Sequence, residues 1–268
     1  MTDKYYELTI KLNSQFTDLV ADLVSNLTSE GVEIGSDRVI VRSEHDVTSI
    51  IDELDKLDNS IGISCTLEEK ENIDWIQSYQ DSVQPIEAGR FYVHPEWYQP
   101  MDGKINILIN PALAFGSGHH ATTYTCLQAI SQYVQPEQSL LDVGCGSGIL
   151  SLAARKLGAN VELCDTDPLA VDSARDNFEL NHEHYEQIWE GSVNKAQKQY
   201  DIVIANIIAD ILRALSNELK RSTKENGILI LSGILDKKES IVTDSFNDLT
   251  LIERKQRDEW VTLIYTKG

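Results

Sequence analysis

A chain of 268 residues, 41% apolar and 25% charged with a formal charge of −20, has the composition of a globular protein with room for one sizeable domain and one small one. It has no apolar run near the roughly 18 residues that a membrane span requires. Its amino terminus, MTDKYYELTI, lacks the basic segment, apolar stretch and cleavage site of an export signal, so the expected location is cytoplasmic. An excess of 43 acidic over 23 basic residues repels nucleic-acid phosphates and attracts a basic protein partner. Cys65, Cys126, Cys145 and Cys164 are scattered without a CxxC pair, which argues against a disulfide framework and against structural zinc.

The first 65 residues alternate in period. YYELTIKL reads as a strand, QFTDLVADLVSNL as an amphipathic helix, and VEIG and RVIVR as short strands around a turn at Gly35–Asp37. SEHD, a capping-box pattern at Ser43 and Asp46, opens the helix VTSIIDELDKL, and IGISCTL closes the set as a strand. The order βαββαβ predicts a small ferredoxin-like domain over residues 1–65. This segment holds 13 acidic and 5 basic residues, a balance of −8, which suits docking of something basic or simply an acidic solvated surface.

Residues 66–104 carry Pro85, Gly89, Pro95, Pro100 and Gly103 between the aromatics Trp75, Tyr79, Phe91, Tyr92, Trp97 and Tyr98, and read as an interdomain linker. Within it the helix-like IDWIQSYQDSV can act as a spacer. From 105 to 268 strands and helices alternate, which predicts a parallel sheet covered by helices on both faces.

Chemistry concentrates in SLLDVGCGSGILSLAARKLG, a strand, a glycine turn and a helix with Gly144, Gly146 and Gly148 in a GxGxG pattern. Glycines there let the backbone turn tightly and let a ligand approach it closely. The next strand, VELCD, ends in Asp165, 21 residues after Gly144, the distance at which an acidic side chain meets ribose hydroxyls. Asp167 before Pro168 is an N-cap with proline at the first helical position. Asp142, two residues before Gly144, favours a ligand with a cationic head over a pyrophosphate, and S-adenosylmethionine has both that charge and a ribose diol. YDIVIAN ends in Asn206 and leads into the helix-like IIADILRALSNELK; in an open α/β sheet Gly144, Asp165 and Asn206 would converge on one crevice. The chain closes with GILILSG, a helical DKKESIVTDSF, and the pair LTLIER and WVTLIYT, compatible with a seven-stranded Rossmann-like methyltransferase sheet whose final strand inserts antiparallel.

NPALAFGSGHHATT, LLDVGCGSGILSLAARKLGA, DTDPLAVDSARDNFELN, DIVIANIIADIL, LSGIL and DEWVTL, in this order over most of residues 70–268, resemble the ribosomal protein L-eleven methyltransferases, the PrmA family. The resemblance implies a class I, Rossmann-like S-adenosylmethionine-dependent domain preceded by a small ferredoxin-like domain that holds the ribosomal protein. It implies cofactor-binding roles for Thr123, Gly144, Asp165 and Asn206 and a place for Phe115 near the cofactor; Gly146, from the GxGxG turn itself, is expected to bind the cofactor beside them. Ser117, His119 and Ala121 stand where the family carries threonine, threonine and proline, and losing the proline removes a fixed φ from that loop. Neighbouring His119 and His120 point apart on either a strand or a helix, which disfavours a shared metal; the stretch reads as a glycine-flanked loop over the methyl donor, with Thr122 or Thr123 supplying a hydroxyl. His120 occupies the family's histidine position, where a structural hydrogen bond and proton transfer are both open roles.

The expected activity is methyl transfer to lysine or α-amino nitrogens of a basic ribosomal protein, with Asn206 orienting the amine. Methylation of a small molecule, or a non-catalytic module that senses S-adenosylmethionine, are the alternatives.

Overall fold

The computed structural model describes residues 4–28, 32–35, 37–43, 45–56, 62–71, 84–110 and 121–268. They fall into two compact units divided between Ser82 and Val83.

In the first unit the elements follow the order β1 (Lys4–Lys11), α1 (Thr17–Leu27), β2 (Val32–Ile34), β3 (Arg38–Ser43), α2 (Thr48–Leu54) and β4 (Ser64–Glu71). The sheet order is β2-β3-β1-β4, every neighbouring pair antiparallel, in agreement with the βαββαβ reading. Alternation along β1 sends Leu8 and Ile10, both fully buried, into a core with Val39, Val41, Val20, Val24, Ile50 and Leu54. Each such aliphatic side chain contributes roughly 1.5–3 kcal/mol when fully buried. On the alternate register Glu7 pairs with Arg42 and Lys70. The capping box does not form: Ser43 Oγ accepts from the His45 amide, and Asp46 takes the Thr48 amide at 2.9 Å. A local turn competes for Ser43, and α2 starts at Thr48, one residue after the Val47 at which the sequence pattern opens the helix.

The second unit begins with a three-stranded sheet, β5 (Ile86–Ala88), β6 (Phe91–His94) and β7 (Ile105–Leu108), in that order. β5 and β6 lie inside the stretch 66–104 whose Pro and Gly content reads as a connector, and β7 follows directly after it. Their three or four residues each are too short for periodicity to register, yet Phe91, Val93 and Ile107 are buried in the large core of this unit. The helix-like segment at 73–83, with Trp75 and Tyr79, lies outside the described residues.

Next come α3 (Ala121–Tyr133), β8 (Ser139–Val143), α4 (Ile149–Lys156), β9 (Asn160–Asp165), α5 (Pro168–Leu180), β10 (Gln187–Glu190), β11 (Tyr200–Asn206), α6 (Ala209–Ala214), α7 (Ser216–Ser222), β12 (Thr223–Leu235), α8 (Glu239–Ser245), β13 (Thr250–Arg257) and β14 (Trp260–Thr266). The seven-stranded sheet has the order β10-β9-β8-β11-β12-β14-β13. β14 runs antiparallel to both its neighbours, and the other pairs are parallel. Successive residues of β11 alternate between two cores: Ile202 and Ile204 pack with α3, α4 and α5 residues, Val203 and Ala205 with Leu212, Leu219 and Phe246. Both faces of the sheet are thus covered, which is why its inner strands read as unbroken apolar runs. The helix-like run after Asn206 is two short helices divided at Leu215. Among the described residues no helix is long and apolar enough to cross a membrane.

Candidate active site

From β8 the chain winds outward through β9 to β10, then returns to lay β11 on the other side of β8. Between β8 and β11 the sheet therefore has a switch in winding direction, and the carboxyl ends of the strands diverge there to leave a crevice. A cavity of about 820 Å³ opens at that point, lined by Thr122 and Thr123 from the first turn of α3, Gly144 and Gly146 from the turn after β8, Asp165 at the end of β9 and Asn206 at the end of β11.

Backbone hydrogen bonds define the glycine turn. The amides of Gly144 and Cys145 both donate to the Cys164 carbonyl, at 2.8 and 3.1 Å, and Gly148 donates back to Cys145. Gly144 has φ +75°, and a Cβ built there would sit 2.5 Å from Ile207 Cγ2, so a side chain is barred by both conformation and space. Asp165 is locked by two amides, Gly146 to Oδ2 at 2.9 Å and Asp167 to Oδ1 at 3.0 Å. Asp167 in turn caps α5 through the Leu169 amide with Pro168 at the first helical position, in line with the sequence pattern. On the opposite wall Ile207 donates its amide to the Ser232 carbonyl and crosses Gly233, where a Cβ would meet the Ile207 carbonyl oxygen at 2.5 Å.

The first turn of α3 is held from below by a chain of buried hydroxyls. Thr125 Oγ1 lies 2.7 Å from Thr262 Oγ1, which lies 2.6 Å from Ser232 Oγ. This joins α3, β12 and β14 beneath the cleft, and it fixes the helical turn that carries Thr122 and Thr123.

Asp142 differs from its expected role. Its carboxyl is buried, takes a hydrogen bond from Ser151 Oγ at 2.7 Å and is not among the residues lining the cavity, so it cannot contact a cationic ligand directly. Period-2 alternation in β8 turns it toward α4 instead. Burial pushes its pKa up to about 7; the Ser151 hydrogen bond opposes the rise and the negative charge of Asp165 adds to it. Its second oxygen has no hydrogen-bond partner among the described residues.

Burial also pushes the thiols of Cys126 and Cys164 up to about 12 and raises that of Cys145, which lines the cavity, so none supplies a thiolate nucleophile. Phe115, His119 and His120 lie outside the described residues.

Gly191 and Ser192 line the cavity from outside every sequence motif, and Leu169, Ile208, Ile211 and Trp260 line it from within the family-like stretches, where nothing in the sequence singles them out as site residues. Gly191, directly after β10, continues the pattern of strand-end residues and could have been found that way. Trp260 comes from the final hairpin and is brought in only by the insertion of β14. Leu169, Ile208 and Ile211 are 72%, 60% and 45% exposed, an apolar rim whose exposure no periodicity reveals.

The described lining is a cradle of backbone closed to side chains, a fixed carboxylate, hydroxyls and an apolar rim, a set suited to binding and orientation and not to acid–base chemistry. A ribose diol fits the Asp165 oxygens, and a flat or charged group can lie against the glycine turn without meeting a Cβ. Fold and cleft together define a Rossmann-like, class I S-adenosylmethionine-dependent methyltransferase domain. Residues 37–268 match the family model for ribosomal protein L11 methyltransferase (PrmA), and the chain belongs to that family. It is 49% identical to the ribosomal protein L11 methyltransferase of a Nitratiruptor species, over 97% of this chain and 95% of that one. To the corresponding protein of Campylobacter lari it is 47% identical, over 100% and 99%. A crystal structure of a ribosomal protein L11 methylase from Lactobacillus delbrueckii subsp. bulgaricus superposes with a TM-score of 0.65 at 29% identity, covering 69% of this chain and 98% of that one.

Proposed function

We propose that the protein transfers methyl groups from S-adenosylmethionine to lysine or α-amino nitrogens of ribosomal protein L11, in the cytoplasm. The observation that carries this reading is the convergence of Thr123, Gly144, Gly146, Asp165 and Asn206 on one cleft in a chain of this family.

S-adenosylmethionine, when bound, supplies an electrophilic methyl group on a sulfonium. In this assignment Asp165, oriented by the Gly146 and Asp167 amides, accepts from the ribose hydroxyls, and the glycine turn carries the rest of the donor. Thr123 contributes a hydroxyl. The acceptor must arrive as a neutral amine: a lysine with a reference pKa of about 10.4 costs roughly 4–5 kcal/mol to deprotonate at pH 7. Ile208 and Ile211 cover the aliphatic stem of the acceptor and exclude water, which lowers that cost by disfavouring the ammonium. Asn206 orients the amine through its carboxamide oxygen. No strong acid or base is required for an in-line displacement with a good leaving group; positioning carries the reaction.

The unit that holds residues 1–65 serves as the recognition domain and the unit from Val83 onward as the catalytic domain; of the stretch 66–104, the end of β4 belongs to the first and β5 and β6 to the second. The 13 acidic against 5 basic residues of 1–65 favour a basic partner over a nucleic acid. The test is incubation of the protein with methyl-labelled S-adenosylmethionine and ribosomal proteins from methylation-deficient cells. Label confined to the band of protein L11 supports the assignment; measurable binding of the methyl donor with no label in that band overturns it.

A further inference from the structure

We infer that Asn177 is a positioning residue of the methyl-donor cleft: its buried carboxamide sets the peptide between Ser147 and Gly148 in the glycine turn and ties that turn to the backbone of Asn110, beyond the end of β7. The inference rests on the reading of the cleft as a site for S-adenosylmethionine.

Asn177 and Asn181 stand one turn apart on α5 and at its end. Asn177 is fully buried. Its Nδ2 donates to the Ser147 carbonyl at 3.0 Å, and its Oδ1 accepts from the Asn110 amide at 3.1 Å. The Ser147–Gly148 peptide is thereby held at both ends, because the Gly148 amide donates to the Cys145 carbonyl at 2.8 Å. Ser147 itself lines the cavity. The approach of α5 is close enough for this reach: a Cβ on Gly148 would lie 3.0 Å from Ala174 Cβ.

Asn181 makes the instructive contrast. Its Oδ1 accepts from the Leu108 amide at 3.0 Å and its Nδ2 donates to the Leu108 carbonyl at 2.7 Å, so it completes the edge of β7 in the way a neighbouring strand would. These bonds go to β7 and leave the glycine turn to Asn177. Both asparagines therefore stabilise the same chain segment, and Asn177 also governs the turn. The turn in turn presents Gly146 to Asp165, so a peptide that rotates at Ser147–Gly148 disturbs the carboxylate assigned to the ribose.

A carboxamide is required because one bond needs a donor and the other an acceptor. Aspartate at 177 keeps the acceptor for Asn110 and faces the Ser147 carbonyl without a donor, so that bond is lost and two oxygens confront each other in a buried place.

The experiment compares wild type with Asn177→Ala, Asn177→Asp and Asn181→Ala in the full chain, read two ways. Without ligand, amide hydrogen exchange at Gly148 reports the turn; it is expected to accelerate about tenfold or more in both Asn177 variants and to stay within about twofold of wild type in Asn181→Ala. With S-adenosylmethionine as titrant, calorimetry is expected to record affinity about tenfold weaker for the Asn177 variants and near wild type for Asn181→Ala, at comparable melting temperatures for Asn177→Ala and Asn181→Ala. Exchange at Gly148 unchanged in Asn177→Ala, or equal effects of Asn177→Ala and Asn181→Ala on affinity, would overturn the inference. A wild-type protein that binds no S-adenosylmethionine fails the functional reading instead, and the exchange data still decide whether Asn177 holds the turn.

Discussion

Gly146 and Asp165, 19 residues apart in sequence, meet at the mouth of the cleft through a 2.9 Å hydrogen bond from the glycine amide to the carboxylate. The bond orients the acid and anchors the turn at once, so the two motif elements form one device.

Replacing Asp165 with alanine removes the acceptor for two backbone amides and for the ribose assigned to it. Affinity for S-adenosylmethionine is expected to fall between about tenfold and a hundredfold, as for a hydrogen bond to a charged group. Isothermal titration with the methyl donor measures it, with circular dichroism to check that the fold persists. Affinity within a factor of two of wild type would remove Asp165 from the site.

Gly233→Ala attacks the opposite wall. At φ +81°, with the new Cβ directed at the Ile207 carbonyl, the strained backbone costs on the order of 1–3 kcal/mol, and relief requires the 206–208 segment to move. Both a lowered melting temperature and a lowered kcat are expected. Loss of stability with unchanged turnover would mean that the position of this segment does not matter for catalysis.

Asn206→Ala tests orientation of the acceptor. If the carboxamide holds the neutral amine, kcat at saturating donor falls by about tenfold or more, beyond any loss of donor affinity. An enzyme that retains full turnover and unchanged donor affinity dismisses this role.

Asp142 links stability to pH. Its pKa is raised in the folded protein to about 7 from the ordinary carboxyl value of 3.8, chiefly by burial. Between those values the native state keeps a proton that the unfolded chain has released, so stability falls as pH rises through that window, and the full cost is present above it. Asn at this position carries no such charge. The stability of Asp142→Asn relative to wild type is therefore expected to increase from pH 5 to pH 8 in chemical denaturation; a difference that is flat with pH would show that Asp142 ionises at its ordinary value.

Local patterns in the sequence were sufficient for much of the site. Tyr200–Asn206 is a strand ending where the run YDIVIAN ends, and Asp167–Pro168 caps α5, because a strand's alternation and a helix's capping are decided by residues a few positions apart. The strand-end rule for open α/β sheets was enough to bring Gly144, Asp165 and Asn206 to one crevice, since the order of strands and helices already implies parallel winding.

Contacts between distant segments were not legible. Asn177 meets Ser147 and Asn110 across 30 and 67 positions, and Thr125 meets Thr262 across 137, so no spacing rule marks any of them. Asp142 looks like a ligand group in the string DVGCG and turns inward because β8 is covered on both faces. Gly233 looks like an ordinary strand glycine until Ile207 is found lying across it. Local backbone preferences and apolar periodicity are enough for the longer elements, their order and the residues at the strand ends, but not for β5 and β6, whose three and four residues are too few to carry a period. Which polar groups face the cleft and which are buried beneath it follows from the packing of distant segments, because burial and hydrogen bonding depend on what the neighbouring strand or helix brings into reach.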